Sequence, residues 1–167
     1  KIKYRLGVDD DSINYLENGK AIEEAGADYI ILHARTKKAM YSGHSDWDAI
    51  RKLKESVKIP VIANGDIFTP EDFIEVINKT GADGAMIARG AMGNPFIFRY
   101  IKEYLEKGSY EKVSFDDIIN QIKVHYELAL RFKDERLVIN QMRTPAGWYI
   151  KGLYMSSEYR DRVNKIS

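Results

Sequence analysis

The chain has 167 residues, 44% of them hydrophobic, and a formal net charge of +1: enough apolar material for one cored domain, or a domain with a small appendage, and no global charge argument for nucleic acid or a membrane surface. It has no cysteine, which excludes disulfides, thiolate metal sites and any thiol nucleophile within it. No apolar run approaches membrane-spanning length and no signal-peptide pattern opens the chain, so a cytoplasmic setting is expected.

Lys1, Lys3 and Arg5 alternate with Ile2, Tyr4 and Leu6, which predicts a strand over 2–6. It starts at once, with no initiator Met, and the chain is expected to be cut from a longer one. Asp9-Asp10-Asp11-Ser12 offers capping residues for a helix over 12–25, with Ile13, Leu16, Ile22 and Ala25 near one face and Gly26 as its stop. Tyr29-Ile30-Ile31-Leu32 reads as a strand buried on both faces. A polar loop runs from Ala34 to Ser45 and a helix from Asp46 to Ser56. Pro60-Val61-Ile62-Ala63 is the third strand. Thr69, with Pro70, Glu71 and Asp72 behind it, opens the next helix and Gly81 closes it. A fourth strand spans 83–88, and Asn94-Pro95 starts a helix to Lys107. Four strand-helix units of roughly 25–30 residues indicate a parallel α/β sheet, the C-terminal half of a (β/α)8 TIM barrel.

Gly108-Ser109 marks a change of pattern. Residues 1–108 form the expected half-barrel, and 109–167 a small all-α helical domain. Phe115, Ile118, Ile119, Ile122, Tyr126 and Ala129 follow helical spacing, and further helices are expected over 135–151 and 156–166, with Pro145 as a kink or break. This segment carries 10 Lys/Arg against 8 Asp/Glu, too small an excess to mark an RNA-binding surface.

Two glycine-centred turns carry the strongest chemical signal: Asn64-Gly65-Asp66 after the third strand and Ala88-Arg89-Gly90 after the fourth. Glycine admits a ligand close to the backbone, and exposed amides after neighbouring parallel strands cradle an anion. Loops after the last two strands of a barrel often hold a phosphate, and Arg89 suits one. Asp66 would repel a phosphate that it faced, so a hydrogen bond to backbone or sugar is its expected role. Lys3 is a solvated residue on a surface strand, or a partner for an anionic ring at a barrel mouth. His33, at a strand's C-terminal end, is a satisfied structural residue or a site residue. The loop with Arg35, Lys37, Lys38 and Tyr41 suits a polyanion or a stacked base, or is simply solvated. Trp47, Trp148 and Tyr149 read as packing residues, and Met86, Met92 and Met142 as core. His44 and His125 lack partners at ligand spacing, so no metal is expected.

Lys3-Tyr4-Arg5-Leu6-Gly7, His33-Ala34-Arg35-Thr36, Tyr41-Ser42-Gly43, Asp46-Trp47, Pro60 to Ile67, Met86 to Ala91 and Gly93-Asn94-Pro95-Phe96 occur in one order. Together they closely resemble the C-terminal part of the bacterial tRNA-dihydrouridine synthases. The resemblance implies a flavoenzyme that uses FMN and NADPH to reduce the C5–C6 double bond of particular uridines in tRNA. It implies that Lys3 contacts the flavin ring and that His33 lies against the cofactor. Asn64, Gly65 and Asp66 would line the ribityl and phosphate region, and Ala88, Arg89 and Gly90 would complete the phosphate site. Arg35, Lys38 and Tyr41, with Arg143 and Lys151 of the helical segment, are the expected tRNA contacts. A reduced flavin carries negative charge that a lysine stabilises, and a uridine must leave its stack to reach it.

The chain departs from the family pattern in two places. The family's general acid is a cysteine in the first half of the barrel, so this chain alone is expected to be inactive. After Met142-Arg143, where the family usually has further basic residues, stand Thr144-Pro145. A half-barrel also exposes strand faces and open edges, so self-association or marginal stability is expected without the other half. The alternatives are another FMN-dependent TIM-barrel oxidoreductase acting on a small molecule, which would not need the helical extension, and a non-catalytic RNA-binding protein.

Overall fold

A computed structural model describes residues 1–166; Ser167, the last residue of the expected helical segment, lies outside them. The order of elements is β1 (Ile2–Arg5), α1 (Tyr15–Glu24), β2 (Ile30–His33), α2 (Trp47–Ser56), β3 (Val61–Asn64), α3 (Pro70–Thr80) and β4 (Gly84–Met86), followed by α4 (Ile97–Lys107), α5 (Phe115–Leu130), α6 (Glu135–Tyr149) and α7 (Ser156–Val163). The four strands form one parallel sheet in the order β1-β2-β3-β4. That is the α/β arrangement expected of half an eight-stranded barrel, with a helical region after it.

The sheet's register separates its two faces. Tyr4, Leu32, Ala63 and Ala85 lie in one row across the strands. With Ile30 and Val61 they pack against Ala49, Ile50 and Leu53 of α2 and Val76 of α3. The neighbouring row on the other face is Arg5, His33, Asn64 and Met86. Side chains alternate along a strand, so one face makes the core and the other is free for polar work.

Local chemistry explains the element ends. The Thr69 hydroxyl accepts the Asp72 amide (3.1 Å) and the Asp72 carboxylate accepts the Thr69 amide (3.0 Å), a reciprocal cap with Pro70 at the first helical position. Asp83 prepares β3 for the sheet: its carboxylate accepts the Val61 amide at 2.8 Å and the Lys54 ammonium at 2.7 Å.

The chain divides into two compact units, the first Lys1–Gly90 and the second beginning at Ala91. The change of pattern in the sequence falls later, at Gly108. The difference is α4, which belongs with the helices after it. Its Tyr100 ring lies 5.0 Å from that of Tyr110, and its hydroxyl accepts the Val113 amide at 3.0 Å. Pro145 neither breaks nor ends α6, which runs through it to Tyr149. A proline removes one backbone donor, and buried Val138, Met142, Ala146 and Tyr149 hold the helix along its length. Met92, expected in the core, is 44% exposed, while Trp148 packs against Gly93 with 39% of its surface exposed.

Candidate functional site

The polar face of the sheet ends in a cavity of about 160 Å³ inside the first unit. This is smaller than the roughly 300–1,000 Å³ of a complete small-molecule site. Lys3 and Arg5 line it from β1, His33 from β2, Asn64 from β3 and Met86 from β4. Both glycine turns reach it: Gly65 and Asp66 on one side, Ala88, Arg89 and Gly90 on the other.

The turns are in direct contact. A Cβ at Gly90 would collide with the Ile67 carbonyl oxygen and sit 3.1 Å from the Phe68 Cα. Only glycine lets the fourth strand's turn lie against the third's. Gly65 and Asp66 both take positive φ, 128° and 54°. A Cβ at Gly65 would strike the Ser45 hydroxyl, and the Gly65 carbonyl accepts the Trp47 indole N–H at 3.2 Å. The Asn64 amide donates to the Met86 carbonyl at 2.8 Å, tying the two strand ends together.

Asp66 is the hub. Its Oδ2 accepts Arg35 Nη2 at 2.7 Å and the Ser45 amide at 2.8 Å, while its Oδ1 accepts Arg89 Nη2 at 3.0 Å. Burial alone would raise its carboxyl, but the hydrogen bonds from Arg35 and Ser45 and the charges of Arg35 and Arg89 hold it below the ordinary carboxylate range. The Arg89 guanidinium stands 4.4 Å from the Tyr41 ring centre and 5.4 Å from that of Phe68, in range of cation–π attraction on both sides.

The remaining cations feel one another. Burial, then the charges of Arg5 and Lys3, push the His33 imidazole down to about 4, against a hydrogen bond with Asn64 that works the other way. It is therefore neutral at pH 7, and its buried Nε2 has no hydrogen-bond partner. Lys3 is lowered by burial and by Arg5. Burial is the larger cause of both shifts, and the neighbouring positive charges, which a bound anion would offset, add to it.

The structure thus brings Lys3, His33, Asn64, Gly65, Asp66, Ala88, Arg89 and Gly90 to one cavity. Tyr41 joins them and is 57% exposed. Lys38 is exposed but does not line the cavity. Arg35, expected beside incoming RNA, is only 4% exposed. Four of its five donors are taken by the Ser42 and Gly43 carbonyls, the Ser45 hydroxyl and Asp66, so it staples its own loop. In the second unit, Arg143 donates to the Ile166 carbonyl while its Nε is buried without a partner. Lys151 is exposed just beyond α6.

The family model described as dihydrouridine synthase (Dus) matches residues 1–167. The chain belongs to the dihydrouridine synthase family. It is 43% identical over 169 residues to a probable tRNA-dihydrouridine synthase of Rickettsia conorii, covering 99% of this chain and 50% of that protein. It is 39% identical to tRNA-dihydrouridine synthase B of Vibrio parahaemolyticus, covering 99% of this chain and 52% of that one. With a probable tRNA-dihydrouridine synthase 1 of Synechocystis it shares 35%, covering 99% and 47%. The chain spans about half the length of these curated relatives.

Three residues in and around this cavity are not among those the sequence singles out. Arg5 shares the Lys3 face by strand alternation, so the signal was present. Met86, taken as core, is half-buried and lines the cavity as the strand-end neighbour of Asn64. Ser45, which accepts from Arg35 and donates to Asp66, carried no signal, because its role depends on a loop returning to the sheet.

Proposed function

We propose that the chain forms the phosphate side of the flavin pocket, and a tRNA-docking helical region, of a tRNA-dihydrouridine synthase that reduces uridines in tRNA to 5,6-dihydrouridine with FMN and NADPH. The observation that carries this reading is the pair of contacting glycine turns beside Arg89, in a cavity whose charge is positive. The residues fit the group. A phosphate ester suits Arg89 and a backbone that glycine leaves open. The unpartnered Nε2 of neutral His33 and the cations Lys3 and Arg5 suit the polar edge of an electron-rich ring.

Bound FMN would supply the hydride chemistry. Lys3 and Arg5 would hold negative charge at the sheet face, and His33, neutral, would exchange a hydrogen bond without adding charge. Arg89 and the turns at Gly65 and Gly90 would bind the phosphate. Tyr41, at the exposed rim of the cavity, would offer a ring to an extruded base, and Lys38, Arg143 and Lys151 would meet the tRNA backbone. The chain has no cysteine, so a thiol acid would come from outside these residues and the chain alone would not turn over.

Flavin fluorescence tests the reading. FMN emission should be quenched saturably by the chain, with the effect weakened about a hundredfold in concentration by Arg89→Ala. No quenching by the unaltered chain at high micromolar concentration would overturn the flavin assignment. Dihydrouridine formed from unmodified tRNA by the chain alone would overturn the need for an outside acid.

A further inference from the structure

The contacts around Asp66 assign it a role different from that of a ligand. A carboxylate beside a phosphate-binding turn is electrostatically wrong if it faces the phosphate. Here both of its oxygens are already engaged, and by different partners. Oδ2 is fixed by Arg35, whose side chain is 3% exposed, and by the Ser45 amide. Oδ1 is left for Arg89, whose side chain is 33% exposed and lines the cavity. The backbone at Asp66 is left-handed, at φ 54°, a strained conformation that persists where the surroundings impose it. The Asp66 side chain borders the cavity, but its oxygens are taken by the loop over 35–45 and by Arg89.

We propose that Asp66 is a positioning residue that acts through Arg89: Arg35 and Ser45 anchor one carboxylate oxygen, and the other holds the Arg89 guanidinium in place between Tyr41 and Phe68 before an anion arrives. The geometry supplies the three elements such a strut needs. The anchor is buried, the carboxylate is held at both oxygens, and the guanidinium has only one Nη2 contact with Asp66 among the described hydrogen bonds, which leaves donors for a phosphate. Preordering matters because an unrestrained arginine gives up rotamer freedom when it binds. The same strut makes the β2–α2 loop part of the phosphate site, since Arg35 also grips the carbonyls of Ser42 and Gly43. Tyr41, the ring beneath Arg89, sits in the loop so gripped.

The ligand in this proposal rests on the flavin reading; the strut rests on the contacts alone, and the experiment separates them. FMN affinity is measured for the unaltered chain, Asp66→Asn, Arg89→Ala and the double variant. Asparagine tolerates the left-handed turn, so the backbone is kept while the charge is lost. Asp66→Asn should weaken binding about tenfold, Arg89→Ala about a hundredfold, and the double variant no more than Arg89→Ala. Additive losses would make Asp66 a direct ligand contact, and tighter binding in Asp66→Asn would mean that it repels the anion; either result overturns the proposal. Asp66→Glu, which keeps the charge but displaces it by a methylene, should also bind severalfold more weakly, and unchanged affinity there would count against the strut even if Asp66→Asn failed to fold. Phenylglyoxal modification, mapped by mass spectrometry without any ligand, reads the strut directly. Arg89 should react severalfold faster in Asp66→Asn and in Asp66→Glu than in the unaltered chain. Equal rates overturn the strut. Faster modification in a chain that does not quench FMN would sink the flavin reading and leave the strut standing.

Discussion

The two units treat polar and apolar groups in opposite ways. In the first, Ile30, Leu32, Ile50, Leu53, Val61 and Val76 are fully buried, and the one described cavity on the polar sheet face is lined by Lys3, Arg5, His33, Asn64 and Arg89. In the second, Ile97 and Val138 are the only side chains of that depth among the described residues, and the described cavities are apolar. One is bordered by Ile122, Met142 and Val163, another by Phe115, Ile150 and Leu153. A parallel sheet backed by helices buries its central strands, β2 throughout and β3 nearly so, and so forms a frame on which charges can be set accurately. Four helices and their turns bury less per residue and leave amphipathic surface open, as at Phe132 (79% exposed) and Tyr154 (89%). Stiffness sits where the chemistry is, and adaptable surface sits elsewhere.

The sharpest way to break that comparison is to cut a hole in the core of each unit. Leu53→Ala removes a side chain with no exposed surface from the α2 core and should cost about 4 kcal/mol in urea unfolding. Val138→Ala, equally buried in α6, should cost about 2 kcal/mol, from two lost methyl groups and a site more able to collapse. Equal losses would mean that the second unit is packed as tightly as the first.

Arg35→Ala comes next, at about 3 kcal/mol, because it leaves the Asp66 carboxylate and two loop carbonyls without their buried donor. The loss should be concentrated in the loop. Amide exchange over 36–46 should accelerate well before that of β2 and β3. Uniform acceleration would show that Arg35 serves the whole core and not the site.

The polar frame should also respond to acid. His33 is held near 4 against an ordinary value of 6.5. Between those values the unfolded chain binds a proton that the folded chain refuses, so stability falls as pH drops from about 6.5 towards 4 and is untouched above neutrality. The loss should reach roughly 2.5 kcal/mol by pH 4.5. Asp66, with its lowered carboxyl, acts in the same direction only at lower pH. His33→Gln should flatten the profile over the upper part of this window, and an imidazole NMR titration with a midpoint near 6.5 would remove the effect altogether.

Much of this frame is visible in the sequence, for physical reasons that are local. Strand alternation separates Lys3 and Arg5 from Tyr4, and Thr69-Pro70-Glu71-Asp72 announces α3 because every capping partner lies within one turn. The two glycine turns could be paired because they end consecutive parallel strands, which the fold makes neighbours. Arg35 could not be read correctly. Its sequence context is a cationic loop, and only the return of residues 42–45 to Asp66 converts it from a free charge into a buried one. Pro145 fails differently: a propensity rule was right about the lost hydrogen bond and wrong about the outcome, because side-chain burial along α6 outweighs it. The placement of α4 with the second unit depends on Tyr100 meeting Tyr110, a contact beyond helical periodicity.

The smallest predicted effect tests whether the two units differ in packing alone. Both contain the same device: Thr69 and Asp72 cap α3 reciprocally, and Ser114 and Asp117 do the same for α5. A cap acts on backbone amides of the first turn and owes little to the core beneath it. Thr69→Ala should therefore cost about 1 kcal/mol, and Ser114→Ala should slow or speed nothing beyond the first turn of α5. The local change in amide exchange, at residues 71–73 in one variant and 115–118 in the other, should match even though Leu53→Ala and Val138→Ala do not. If Ser114→Ala instead loosened α6 and α7 as well, the helical unit would depend on its caps in place of a core, and the contrast between the units would be one of cooperativity and not of packing depth.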